Sequence, residues 1–81
     1  MTQIEKLIVK FLKNPGSVRY DQIKKILLKL GFEYLPVQGG SHEKFKHHSL
    51  DRDLVIPLHH NDCKTFYKDL AAKLIIKNHL Y

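Results

Sequence analysis

The chain of 81 residues has no tryptophan, one methionine, one cysteine and three prolines. With Cys63 as its single thiol, no disulfide can close within the chain, and a reducing compartment is expected. No apolar run approaches the roughly 20 residues that a bilayer-spanning helix needs, and the N-terminus has no continuous apolar stretch of signal-peptide type. A cytoplasmic, non-membrane protein is the expectation. Acidic residues are scarce as well. Eight Asp and Glu stand against fourteen Lys and Arg, which leaves a net charge of +6. That excess suits a polyanionic partner: nucleic acid, an acidic protein or an anionic surface. Metal-binding signatures are missing too. There is no Cys-x-x-Cys and no His-Glu-x-x-His, so neither a metal nor another cofactor is expected, although His47-His48 and His59-His60 are adjacent pairs.

What is present fits one small domain over residues 1–81, with an apolar share of 43% that is ordinary for a globular core. Thr2-Gln3-Ile4-Glu5 reads as a capping box. Ile4, Leu7, Ile8 and Phe11 then recur at helical spacing, and Asn14-Pro15-Gly16 ends that helix. A second helix is predicted from Tyr20 to Leu30, with Gly31 where a C′ glycine belongs. From Phe32 the period changes to that of strands: Phe32 to Gln38 at a sheet edge, a Gly39-Gly40 turn, then His42 to His47. Ser49 to Arg52 turn the chain into a third strand over Asp53 to Leu58. His59 to Asp62 form a polar loop, with Asn61 or Asp62 as N-cap of a closing helix. That helix is expected to bury Phe66, Tyr67, Leu70, Ala71, Leu74 and Ile75. The order α-α-β-β-β-α predicts an α+β fold, a three-stranded antiparallel sheet with helices on one face.

The chemistry concentrates in Gly39-Gly40-Ser41-His42-Glu43-Lys44-Phe45-Lys46. In a strand, His42, Lys44 and Lys46 share one face while Glu43 and Phe45 turn to the other. A ring that titrates near neutrality beside two ammonium groups suits handling of phosphate. Ser41 and the Gly39–Gly40 amides add donors for a phosphate oxygen. Ser41 cannot pair with His42 as nucleophile and base, because neighbours in a strand point to opposite faces. For the general acid, His47, His48, His59 and a lysine all stay open.

Leu30-Gly31-Phe32, Gly40-Ser41-His42 with Phe45 following, Val55-Ile56-Pro57 and the closing helix together resemble the HicA (YcfA-like) toxin family. The resemblance covers about Tyr20 to Lys77, with residues 1–14 as an added N-terminal helix. It implies a double-stranded-RNA-binding-like fold and a toxin that acts as an mRNA interferase, an endoribonuclease. By the same resemblance His42 is the catalytic residue, RNA the substrate and a HicB-like antitoxin the partner. Gly40, Ser41, Lys44 and Lys46 are the candidate RNA contacts. Glu43 departs from the family pattern, in which a second histidine often stands at that place. A non-catalytic RNA-binding module of the same fold, or an adaptor for an acidic protein, would carry the same charge. Labelled RNA incubated with EDTA separates the catalytic reading from both.

Overall fold

A computed structural model describes residues 1–36 and 41–81. The ends of the first helix, α1 (Gln3–Lys13), are set locally. The Glu5 amide donates to the Thr2 hydroxyl at 3.2 Å, and the Thr2 amide donates to the Glu5 carboxylate at 2.9 Å, completing the capping box. That bond from the Thr2 amide holds the Glu5 carboxyl below its ordinary value. After Lys13 the chain makes a 3₁₀ turn at Pro15–Ser17 and enters α2 (Tyr20–Lys29). Gly31 takes φ +95°, a left-handed conformation open to glycine at little cost. The Phe32 amide then reaches back to Leu27 O at 3.0 Å and the Gly31 amide to Leu28 O at 3.2 Å, a Schellman end.

The sheet has the order β1-β2-β3 and is antiparallel throughout, with β1 at Glu33–Leu35, β2 at His42–Lys46 and β3 at Leu54–Pro57. β1 is an edge strand that stops before Pro36, as a residue without an N–H requires. Val37, Gln38 and the Gly39-Gly40 turn lie outside the described residues. Pairing of Tyr34 with Phe45, Phe45 with Leu54 and Glu43 with Ile56 puts these side chains on the helix-facing side. Leu35, His42, Lys44, Lys46, Val55 and Pro57 alternate to the opposite side. Phe45 and Ile56 are fully buried against Ile8 and Phe11 of α1 and Ile23, Ile26 and Leu27 of α2. The N-terminal helix thus shares the core that the sheet and α2 build.

The last helix, α3 (Thr65–Lys77), departs from expectation at both its start and its buried face. Its N-cap is Lys64, which makes no side-chain cap, while Asn61 and Asp62 belong to a tight turn. His60 (φ 52°) and Asn61 (φ 64°) form the centre of that turn, the combination of a type I′ hairpin. Asp62 caps another helix: its Oδ1 accepts the Tyr20 amide at 3.0 Å, at the first turn of α2. Ala71, Ala72, Ile75 and Lys68 form the buried side of α3, with Tyr67 and Leu74 half-buried at its border. Phe66, 66% exposed, and Leu70 instead project outward. The small side chains of Ala71 and Ala72 let α3 pack closely, and that seating turns the larger apolar residues toward solvent. Phe66→Ser should therefore change stability by no more than about 0.5 kcal/mol in urea unfolding, as for other exposed sites.

Candidate functional site

β2 presents the candidate residues in the order the alternation requires. His42 opens the strand on the exposed side, opposite Pro57 of β3. Lys44 lies one pleat further, about 7 Å along the strand, and Lys46 about 13 Å from His42. Lys44 is thus the nearer of the two cations to His42, and Lys46 the further. Lys44 shares its charge with Asp53, whose carboxylate is 3.3 Å from its Nζ. Lys46 and Ser41 are exposed. The Ser41 carbonyl accepts the Leu58 amide at 2.7 Å, which continues β2–β3 pairing one residue beyond the strand. Gly40 lies outside the described residues.

Glu43 points away from this face, as its position predicts, and its carboxylate is fully occupied. Tyr20 donates its hydroxyl to Oε1 at 2.9 Å and Tyr34 to Oε2 at 2.7 Å. Lys24 approaches Oε1 at 3.9 Å and sits 3.9 Å from the centre of the Tyr34 ring. Burial and the bond to Glu43 push the Tyr20 phenol far above its ordinary value, and the bond to Glu43 raises Tyr34. Both phenols therefore stay protonated donors in the physiological range. The anion that departs from the family pattern is a tie between the sheet and α2, and it faces away from the side of His42. Glu43→Ala should lower stability by about 1–3 kcal/mol, because it strands the hydroxyl of buried Tyr20. Chemical denaturation reads that loss, and an unchanged midpoint would refute the role.

The histidine pairs separate. His47 is 5% exposed and both its ring nitrogens are engaged. The Ser49 amide donates to Nδ1 at 3.0 Å, so Nε2 carries the proton and donates it to Leu30 O at 3.0 Å. Its ring lies 4.8 Å from that of Phe32, and a Cβ on Gly31 would come within 3.3 Å of Nε2. Leu30-Gly31-Phe32 is thus a cradle for His47. Five residues along β2 put it about 16 Å from His42, and His48, stacked on it at 4.5 Å, is no nearer. Neither can protonate a leaving group at His42. Among the described residues no three His, Cys, Asp or Glu side chains are grouped as a metal would require.

His59 follows two residues after Pro57, the cross-strand partner of His42, and enters the turn closed with Asp62. There Pro57, His59, Lys64 and Tyr67 line a cleft of about 150 Å³. From the sequence His59 is one of several acid candidates and Tyr67 a core residue, while nothing distinguishes Lys64. The signal that brings His59 forward is its place two residues after Pro57, the partner of His42. Two larger hollows, about 500 and 370 Å³, share Leu70 and Leu74 on the outer side of α3 and hold none of these residues.

A family model described as "HicA toxin of bacterial toxin-antitoxin" matches residues 20–79. The chain belongs to the HicA toxin family. No curated protein and no solved structure gives a match. The HicA match begins at the first residue of α2 and leaves α1 outside it. It takes in the His47 cradle, the whole sheet and α3. Membership makes the chain a toxin of the toxin-antitoxin type, with a protein partner implied. Among the described residues no helix is long and apolar enough to cross a membrane.

Proposed function

We propose that the chain is an endoribonuclease acting on RNA, messenger RNA as the HicA resemblance implies, with His42 as general base. RNA carries its own nucleophile. His42 takes the proton of a 2′-hydroxyl, the 2′-oxygen bonds to the adjacent phosphorus, and the bond to the 5′-oxygen breaks. The products are a 2′,3′-cyclic phosphate and a 5′-hydroxyl, the latter formed as the leaving oxygen takes up a proton. This step requires no metal, because the attacking group comes from the substrate. Lys44, one pleat along from His42, and Ser41 beside it offer a cation and hydrogen-bond donors to the charge that develops on the phosphorane, and such electrostatic stabilisation is a large part of catalysis. The observation that carries the reading is an exposed histidine opening β2 on the sheet side opposite the helices, with Lys44 and Lys46 on the same side. Cleavage of end-labelled RNA in EDTA, with cyclic phosphate at the new 3′ end, tests it. Binding without product would favour the non-catalytic module.

Binding should be electrostatic. If Lys44 and Lys46 each neutralise one phosphate of single-stranded RNA, log affinity falls with log salt at a slope of about −1.4. That is about a sevenfold loss between 50 and 200 mM salt. Lys46→Ala should flatten the slope by about 0.7 in fluorescence anisotropy, and an unchanged slope would remove Lys46 from the contact. The toxin's partner, on this reading a HicB-like antitoxin, covers His42, Lys44 and Lys46 and sets carboxylates against the lysines. Electrostatic complementarity of that kind raises the association rate.

A further inference from the structure

We propose that the cleft between Pro57, His59, Lys64 and Tyr67 is a nucleotide subsite, which receives the base beside the scissile phosphate and sets cleavage selectivity. The inference rests on the ribonuclease reading for its position in the reaction, but not for its binding chemistry. Pro57 is the direct cross-strand partner of His42, so one wall of the cleft of about 150 Å³ is the residue paired with the candidate general base. Its lining combines what a nucleotide needs. Tyr67 is half-buried at the border of the α3 core face and offers an aromatic ring, with Phe66 packed edge-on against it at 5.0 Å. A base stacked on such a ring gains affinity whatever its identity, because every base has a π-face. His59 and Lys64 are exposed at the rim and bring hydrogen-bonding and cationic groups to a base edge or a phosphate.

The wall is also held in place. His59 is fixed by reciprocal backbone bonds with Asp62, the His59 amide to Asp62 O at 2.7 Å and the Asp62 amide to His59 O at 3.0 Å. Asp62 is in turn tied to α2 through the Tyr20 amide and to α3 through Lys68. Tyr67 stands on the first turn of that same α3 and Lys64 is its N-cap. One carboxylate therefore sets the spacing between the two sides of the cleft. A preset gap next to the reacting phosphate can choose among bases, which a flat basic sheet cannot.

Nuclear magnetic resonance titration with the four 2′-deoxynucleoside 3′-monophosphates tests this, since they lack the 2′-hydroxyl and report binding alone. Saturable shifts at the His59 and Tyr67 rings are expected, stronger for some bases than for others. Tyr67→Leu keeps the apolar packing and removes the ring, and should weaken binding about 5- to 150-fold, the loss of one stacked base. Tyr67→Phe should retain it. Shifts confined to Lys44 and Lys46 would overturn the proposal, as would inorganic phosphate reproducing the full response or Tyr67→Leu binding as well as the parent. The two readings fail separately. Nucleotide binding in the cleft without RNA cleavage would leave the subsite and sink the ribonuclease. Cleavage with unchanged base selectivity in Tyr67→Leu would do the reverse.

Discussion

His42→Ala should cut RNA cleavage by about 10²–10⁴-fold, the usual contribution of a positioned general base, and should abolish toxicity in cells. The fold should survive, because His42 is exposed at the start of β2 and surface substitutions cost within about 0.5 kcal/mol. Retention of the melting temperature separates loss of chemistry from loss of structure. His42→Gln sharpens the result, since it keeps a polar side chain of similar reach but cannot take the proton. If either folded variant cleaves at the parental rate, His42 is not the base. His47→Ala is the natural contrast. It should lower activity only by unfolding the cradle around Leu30-Gly31-Phe32, so its loss of activity should track its loss of stability. A histidine that acts chemically and one that acts structurally thus differ in which measurement moves first.

Much of this was legible in the sequence because it is local. The capping box, the stop after Lys13 and the glycine ending α2 depend on residues within a few positions of one another. Alternation along β2 put Phe45 and Glu43 beneath the sheet and His42, Lys44 and Lys46 above it. The misses are long-range. Nothing near Asp62 in the chain says that it caps a helix 42 residues away. A lysine on a helix reads as solvated, so Lys68 gave no sign of burial. On α3 the apolar residues lie all round the helix, and periodicity therefore cannot choose a face. Packing chose, through the small side chains of Ala71 and Ala72. His47 escaped for a related reason: its partners, the Leu30 carbonyl and the Ser49 amide, are backbone groups that no side-chain pattern announces. The cleft beside His42 combines both difficulties, since it joins β3, a turn and α3.

Among the described residues, Asp62→Ala should be the most destabilising polar substitution. Lys68 is only 6% exposed, and its ammonium lies 3.3 Å from Asp62 Oδ1 and 3.4 Å from Oδ2. Asp62 itself is half-buried, so leaving the buried ammonium without it costs less than the about 3–5 kcal/mol of a fully buried pair. Two amides lose their acceptor as well, that of Tyr20 at 3.0 Å and that of Cys63 at 2.9 Å. A chain of this length has about 4–12 kcal/mol to lose in total. A loss of about 3 kcal/mol lowers the melting temperature by more than about 12 °C in a domain of this size. Asp62→Asn with Lys68→Met should recover much of the loss, because no buried charge then remains. The pH dependence carries the same signature. Burial pushes the Asp62 carboxyl up, but the Cys63 and Tyr20 amides and the Lys68 ammonium outweigh it and hold the group below its ordinary value. A carboxyl depressed in the folded state contributes stability above its unfolded value, about 3.9, and loses it as pH falls through the folded one. Parental stability should therefore fall below about pH 4, and the Asp62→Asn, Lys68→Met variant should show a shallower fall over that range. Equal acid sensitivity in the two proteins, measured by urea unfolding at a series of pH values, would show that Asp62 does not carry it.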